Sequence, residues 1–207
     1  MQPLNGHEGR PPIVIRYFAP SPALAPYFTT YYLTEVNLPA GERAGDWLHP
    51  EWPNMRFFTG VTPLGAIGPA EKKEVPRFTI VGPTCDGTWF EAGTMRAWGI
   101  GILPLGWTKF FGRPAEDYAD RFFDGDEDAA GEPFRALRDQ LMTGEPGKTA
   151  DEVATIENYL SALVERLLAL EAQLDGALAL RAHPAGGGRS RPGWGGAATT
   201  WSTRSPP

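Results

Sequence analysis

The stretch that decides the fold runs from Phe78 to Asp120, FTIVGPTCDGTWFEAGTMRAWGIGILPLGWTKFFGRPAEDYAD. Its first part predicts three strands, Phe78–Val81, Thr88–Glu91 and Met95–Leu103. Gly-Pro and Ala-Gly pairs separate them, because glycine accepts a positive φ and proline cannot donate to a strand ladder. This part of the stretch therefore predicts a sheet of short strands.

The last part of the same stretch changes from strand to helix spacing. Trp107, Phe110 and Phe111 follow helical spacing, and Pro114 is expected to start a second short helix that includes Tyr118, Arg121 and Phe122. A sheet that continues into helices at one end indicates an α+β fold.

The strand Met95–Leu103 has two different faces, because side chains alternate across a pleated strand. One face carries Trp98, Ile100 and Ile102, and the other carries Ala97, Gly99, Gly101 and Leu103. Two glycines on one face let another backbone or a ligand come close, or let the sheet curl.

Upstream of this stretch the sequence predicts further short strands. The clearest are Ile13–Tyr17, a Tyr-, Thr- and Val-rich segment ending at Val36, and Met55–Thr59, whereas 38–46 and 71–74 are interpreted as turns or loops. Six to eight strands before Leu105 at this spacing predict a small antiparallel barrel or sandwich.

Downstream of the sheet the chain is predicted to be helical. Thr149 and Glu152 form a capping box, and an apolar stripe at three- and four-residue steps continues to Leu178. Two interpretations stay open: helices packed on the end of the sheet, or a helix–helix contact between two copies of the chain. For the second, the expected dimerisation residues are Leu163, Leu167, Leu170 and Leu174.

Composition and charge limit the classes of partner. The chain has 207 residues, 42% of them hydrophobic, which is enough for one domain with a sizeable core. Residues 181–207 hold four of the 19 basic residues and none of the 25 acidic ones, so residues 1–180 carry a net charge of −10. A duplex-binding surface needs clustered cations, so we expect the body of the chain to repel DNA.

The two ends of the chain are expected to be disordered. Residues 1–12 are polar, and residues 183–207 are rich in Gly, Ser and Arg with no periodicity. The predicted organisation between these ends is a small barrel over 13–105 and a helical segment, a candidate for dimerisation, over 106–182. Because nothing in the preceding helix prepares for the tail, a shifted reading frame or a truncated gene is one hypothesis for it.

The sequence lacks the motifs of several chemistries. No nucleophile elbow, P-loop or Rossmann fingerprint is present, so we expect neither catalysis nor a cofactor. A metal site is not expected either, since only His49 and Glu51 could contribute ligands from the body. Cys85, the single cysteine, is interpreted as a structural thiol. No signal peptide or membrane span is recognisable, and the expected localisation is the cytoplasm.

An aromatic-rich interior with a few polar groups predicts a small-molecule pocket. Most of the aromatic side chains are expected to be core, and those that face inward would line the pocket. Arg56 stands out between two apolar residues, because an inward arginine needs an anionic partner. The candidate ligand-binding residues are Tyr32, His49, Trp52, Arg56, Phe58, Arg96 and Trp98.

Several segments between Ile13 and Leu168 together resemble the N-terminal domain of AraC-type transcriptional regulators of bacteria. They are PALAPYF from Pro22, Tyr31-Tyr32, HPEWPNMRFF from His49, FTIVGPT from Phe78, GIGILPLGW from Gly99 and FGRPAEDYAD from Phe111. The resemblance implies a cupin-like sensory barrel followed by dimerising helices and two helix-turn-helix units that bind DNA. Those units would begin near Arg181, where this chain has the Gly-rich tail.

From the resemblance we expect an effector-sensing and dimerisation domain of an AraC-type regulator. An unidentified small molecule and a second copy are the expected partners, and DNA would be bound only through a helix-turn-helix module absent from this chain. Two alternatives stay open. One is a non-metal cupin-like enzyme of isomerase type, which would need an acid and a base at the pocket mouth. The other is an interaction module that forms inactive dimers with full-length relatives.

Overall fold

The computed structural model describes residues 12–143 and 147–182. The expectations for the chain before residue 12 and after residue 182 lie outside the described residues. Ten strands are present in this part of the chain: Ile13–Phe18 (β1), Phe28–Val36 (β2), Ala44–Leu48 (β3), Asn54–Gly60 (β4), Leu64–Ile67 (β5), Lys73–Glu74 (β6), Phe78–Val81 (β7), Thr88–Ala92 (β8), Met95–Ile102 (β9) and Phe122–Asp124 (β10).

The helices follow the sheet strands in sequence. They are Pro104–Phe111 (α1), Arg135–Met142 (α2) and Thr149–Ala182 (α3), with short 3₁₀ helices at Ala115–Tyr118 and Ala129–Phe134. Pro104 occupies the first turn of α1, where its missing N–H costs nothing, and Gly112 ends the helix in the left-handed conformation. The strand-to-helix change predicted after Leu105 is therefore confirmed to within two residues.

The strands form two antiparallel sheets, which confirms the α+β class. Sheet A has the order β1-β2-β9-β4-β7-β10, and sheet B has the order β3-β8-β5-β6. Over the described ranges, strand pairing does not join these two sheets into a closed barrel. The strands β9 and β4 form the centre of sheet A, and β9 belongs to the stretch Phe78–Asp120 from which the fold was predicted.

Two expectations for local structure are wrong. Phe122 was expected in a helix but begins β10, where it pairs with Val81. The preceding turn ends at Asp120, which has a positive φ of 54°. Nine strands of the described residues, rather than six to eight, precede Leu105, because the segments interpreted as loops include the first three residues of Ala44–Leu48 and both residues of Lys73–Glu74. Both strands are in sheet B, and their charged or small residues do not show the apolar pattern from which a strand is predicted.

The main core lies on one face of sheet A. Trp98, Ile100 and Ile102 of β9 are at most 2% exposed, as expected for the face that carries them. They share this face with apolar residues of β2, β4 and β7, and the ring of Phe28 stacks on Phe110 of α1 at 5.3 Å between centroids. We call this the helix face of sheet A. The opposite face looks toward sheet B.

Contacts between residues divide the chain into two units, Met1–Arg166 and Leu167–Pro207. The first unit contains both sheets, α1, α2 and the first half of α3, in which Ile156 and Leu160 are fully buried. Leu163, one of the four residues predicted for dimerisation, is only 4% exposed in this unit. In the second unit Leu167 is half-buried, whereas Leu170 and Leu174 are 49% and 64% exposed.

Candidate functional site

A cavity of about 430 Å³ lies between the two sheets, within the first unit. Alternation along the strands sends every second residue of β2, β9 and β4 into it, so that Tyr32, Ala97 and Arg56 line its wall. Residues of β8 and β5 form the opposite wall. Its volume is within the range typical of small-molecule sites.

The walls of the cavity are mainly aromatic and aliphatic. Its aromatic residues are Tyr17, Tyr32, Trp52, Phe58, Trp89, Phe90 and Phe122. Tyr17 and Trp52 are 68% and 59% exposed, which places them at the mouth. An apolar cluster that includes Phe58, Met95 and Ala97 occupies part of the space between the sheets, and these three residues also line the cavity.

A polar cluster of Tyr32, Arg56 and Glu51 stands on this apolar wall. Arg56 Nε donates to the Tyr32 hydroxyl at 2.9 Å, and Arg56 Nη2 donates to Glu51 Oε2 at 2.5 Å. The arginine side chain is 13% exposed and the glutamate 30%. The anionic partner expected for an inward Arg56 is therefore Glu51, which lies five positions earlier in the chain.

Gly99 makes this cluster possible. In the sheet register Gly99 pairs with Tyr32 on one side and with Arg56 on the other. A Cβ on Gly99 would lie 2.0 Å from Cζ of Tyr32, so the tyrosine ring occupies the space that a side chain would take. The ring crosses β9 at this point, and its hydroxyl reaches Arg56. The close approach predicted for the glycine face is made by a side chain of the protein.

A backbone exchange holds the loop that carries Glu51. Glu51 N–H donates to the Thr84 hydroxyl at 2.7 Å, and Thr84 N–H donates to the Glu51 carbonyl at 3.1 Å. Pro50 and Pro53 flank the segment and restrict its backbone. Glu51 is therefore presented to Arg56 from a fixed loop, which limits the entropy lost when the ion pair forms.

Burial sets the protonation states of the cluster. Burial raises the pKa of Tyr32 above its ordinary value, while the Arg56 guanidinium lowers it and Glu51 raises it again. For Arg56, burial lowers the pKa, whereas the interactions with Tyr32 and Glu51 raise it by more. The net shift of the Arg56 pKa is therefore upward. At neutral pH the cavity thus contains a protonated tyrosine and a charged arginine.

Two buried polar side-chain atoms of cavity residues lack hydrogen-bond partners among the described residues. They are Oδ1 of Asn54 and Oγ1 of Thr88, whose residues are 3% and 1% exposed. Buried polar atoms are nearly always hydrogen-bonded, and leaving one unpaired costs about 1–3 kcal/mol. Within the described part of the chain, these two atoms are therefore unsatisfied in the free protein.

Four of the seven predicted ligand-binding residues line the cavity, namely Tyr32, Trp52, Arg56 and Phe58. His49 does not line it and is exposed, next to the lining residues Leu48 and Pro50. Trp98 and Arg96 do not line it either, because even-numbered positions of β9 belong to the helix face. The alternation of β9 and the end of β3 at Leu48 thus keep these three residues out of the cavity lining.

Arg96 has a different role from Arg56. It forms two hydrogen bonds with the carboxylate of Glu152 in α3, one of them from Nη1 to Oε1 at 2.8 Å. Its Nε also lies 3.6 Å from Glu35 Oε1. Two carboxylates thus fix Arg96 on the helix face, where it joins sheet A to the first half of α3.

Sequence reasoning did not assign Glu51, Thr88, Trp89 or Phe90 to the site, although all four line the cavity. The signal for Glu51 was present in the requirement that Arg56 have an anionic partner nearby. For the three β8 residues the sequence contained no comparable indication. Their inward orientation depends on where sheet B packs, which the sequence does not show.

The described residues contain no cluster of three or more potential metal ligands. Cys85 is exposed, and its N–H donates to Asp120 Oδ1 at 2.7 Å. Among the helices described, none is both long and apolar enough to cross a membrane. Comparison of the chain with protein-family models, with curated proteins and with solved structures found no match.

Proposed function

We propose that the chain is an effector-sensing domain of the AraC type, which binds a small organic molecule between its two sheets and pairs with a second copy through α3. The observation that carries the proposal is the aromatic cavity with a single polar cluster at Tyr32, Arg56 and Glu51. Two antiparallel sheets that face each other across such a cavity also support a cupin-like relationship.

Binding is favoured over catalysis by the state of the polar cluster. Burial keeps Tyr32 protonated, and Glu51 accepts a hydrogen bond from Arg56. A general acid needs a pKa near the working pH, which the raised pKa of Tyr32 does not provide, and the carboxylate of Glu51 is held in the ion pair with Arg56. The cluster is suited to hydrogen-bonding a ligand, and we propose no reaction.

The exposed part of α3 supports the second element of the proposal. Leu170, Leu174 and Leu178 follow each other at four-residue steps with 49%, 64% and 62% of their surface exposed. This spacing forms one apolar stripe on a helix, as in helix pairs. Any contact with DNA would belong to a separate helix-turn-helix module, as the resemblance implies.

The cavity is tested with a thermal-shift screen of small organic molecules against the wild type and two tryptophan variants. Thr34 lines the cavity, so Thr34→Trp should fill part of it. Thr108→Trp adds the same bulk to an exposed position of α1. We expect a compound that raises the melting temperature of the wild type and of Thr108→Trp but not of Thr34→Trp. A stabilising compound that is insensitive to Thr34→Trp would overturn the assignment of the cavity.

Self-association is tested by sedimentation of two double variants that add the same charge. Leu170→Glu with Leu174→Glu places two carboxylates in the stripe, and Ala169→Glu with Ala172→Glu places them on exposed positions of the opposite helix face. We expect the first pair to give monomers and the second to stay dimeric. A wild-type monomer at micromolar concentration contradicts the dimer while leaving the cavity unaffected.

A further inference from the structure

We propose that the cavity selects a neutral aromatic molecule that carries a hydrogen-bond donor beside an acceptor, such as an aryl carboxamide. The inference rests on the proposed function and specifies the chemical class of the effector. It follows from the charge balance of the cavity, from the hydrogen bonds that its polar cluster leaves open, and from its aromatic walls.

The charge balance excludes ionic ligands. Glu51 and Arg56 are the only charged side chains in the lining formed by the described residues, and they are paired at 2.5 Å. A carboxylate ligand would have to displace Glu51 from Arg56 or remain beside a like charge. A cationic ligand that approached Glu51 would have to displace Arg56 or remain beside its like charge. A neutral ligand leaves the ion pair intact and avoids the cost of an unpaired charge at the wall.

The hydrogen-bonding pattern calls for two groups on the ligand. Tyr32 accepts from Arg56 Nε, and its raised pKa leaves the hydroxyl proton in place to be donated to a carbonyl oxygen. Glu51 uses Oε2 for Arg56, and no described residue donates to Oε1. A carboxamide offers a carbonyl to the first and an N–H to the second, whereas a carboxylate has no donor for Glu51.

The walls favour an aromatic body. Tyr17 and Tyr32 lie with their ring centroids 6.2 Å apart at one side of the cavity, and Trp52 is exposed at the mouth. On the other wall Lys72 Nζ lies 3.5 Å from the ring centre of Trp89, which occupies one face of that indole. Flat aromatic surfaces bind aromatic ligands by stacked and edge-to-face contacts. A volume of about 430 Å³ admits a bicyclic ring with one substituent.

The test compares three probes with the same naphthalene body: naphthamide, naphthoate and naphthylmethylamine. Their affinities for the wild type are measured at neutral pH by quenching of tryptophan fluorescence. We expect naphthamide to bind about tenfold or more tightly than either ionic probe, a difference of about 1.4 kcal/mol. Glu51→Gln should reverse the preference toward naphthoate, because Arg56 then lacks its carboxylate. Glu165→Gln makes the same change of net charge at an exposed position of α3 and should leave the order unchanged.

Each outcome decides the matter. Preference for naphthamide with the reversal in Glu51→Gln supports the inference. Tighter binding of naphthoate or naphthylmethylamine by the wild type overturns it, while the cavity remains a ligand site. If a folded wild type binds none of the three probes, the inference that the ligand is aromatic is wrong. If the thermal-shift screen also finds no compound, the proposed function falls with it. Should Glu51→Gln fail to fold, the wild-type order alone still decides.

Discussion

The two faces of sheet A differ in what they hold, although the same strands form both. On the helix face Trp98, Ile100 and Ile102 are fully packed, and Arg96 is fixed by two carboxylates. On the cavity face the centre of the same strand is glycine, and Arg56 has one carboxylate and a tyrosine hydroxyl for partners. One face is filled and the other retains a space of about 430 Å³.

Adjacent tyrosines show the same division at the scale of one residue. Tyr31 is fully buried on the helix face beside Glu157 of α3, and burial, then that carboxylate, raise its pKa. Tyr32 turns the other way and holds Arg56 in the cavity. We infer that the helix face provides most of the folding stability, while the cavity face provides recognition. The predictions below test that division.

The largest effect on stability is expected on the helix face, from Leu160→Ala. Leu160 is 0% exposed, and removing a buried leucine side chain costs about 2–5 kcal/mol because a cavity remains. Leu168→Ala is the control, since Leu168 is 48% exposed on the same helix, lies outside the proposed pairing stripe and should change stability by less than about 0.5 kcal/mol. Urea unfolding measures both. A similar cost for the two variants would contradict the packing of the first half of α3.

A smaller loss of stability but a complete loss of binding is expected on the cavity face, from Gly99→Ala. The new Cβ would meet the Tyr32 ring at 2.0 Å, so the ring must leave its place and lose Arg56. Overpacking of this kind costs about 1–3 kcal/mol. Stability and affinity for any stabilising compound are measured together.

A second substitution isolates the cause of that loss. Tyr32→Ala removes the ring that occupies the space over Gly99, so adding Gly99→Ala to Tyr32→Ala should cost much less than Gly99→Ala alone. A double-mutant cycle measures the difference. Additive effects would show that Gly99 is needed for a reason other than the tyrosine ring.

The sequence predicted sheet A better than sheet B. Strands such as Phe78–Val81 and Met95–Ile102 are rich in apolar residues and bounded by Gly or Pro, so local pattern alone located them. Ala44–Leu48 contains Ala-Gly-Asp, and Lys73–Glu74 is charged, so their strand conformation comes from pairing, with the distant β8 for the first and with the preceding strand β5 for the second. Such pairing overrides local preference and leaves no signal in the segment itself.

For the candidate site, the alternation of side chains along β4 places Arg56 and Phe58 on the same face, and both line the cavity. The same rule, applied to β9, would have placed Arg96 with Trp98 and away from Ala97 and Gly101. The missing information was which face of the sheet the helices cover, and that depends on contacts such as the one between Arg96 and Glu152. Tertiary packing, rather than strand propensity, decided which arginine reaches the cavity.

The smallest effect is expected from Thr88→Val on the wall of the cavity, and its comparison with Thr79→Val is the most discriminating. Both threonines line the cavity and are 1% exposed, and valine has nearly the same shape. The Thr79 hydroxyl donates to the Pro76 carbonyl, whereas Thr88 Oγ1 has no partner among the described residues. Thr79→Val should therefore cost about 0.5–1.5 kcal/mol, while Thr88→Val should be within about 0.5 kcal/mol of the wild type or slightly stabilising. Urea unfolding without added ligand measures both. If Thr88→Val destabilised the protein as much as Thr79→Val, the Thr88 hydroxyl would be bonded in the free protein and not left open for a ligand.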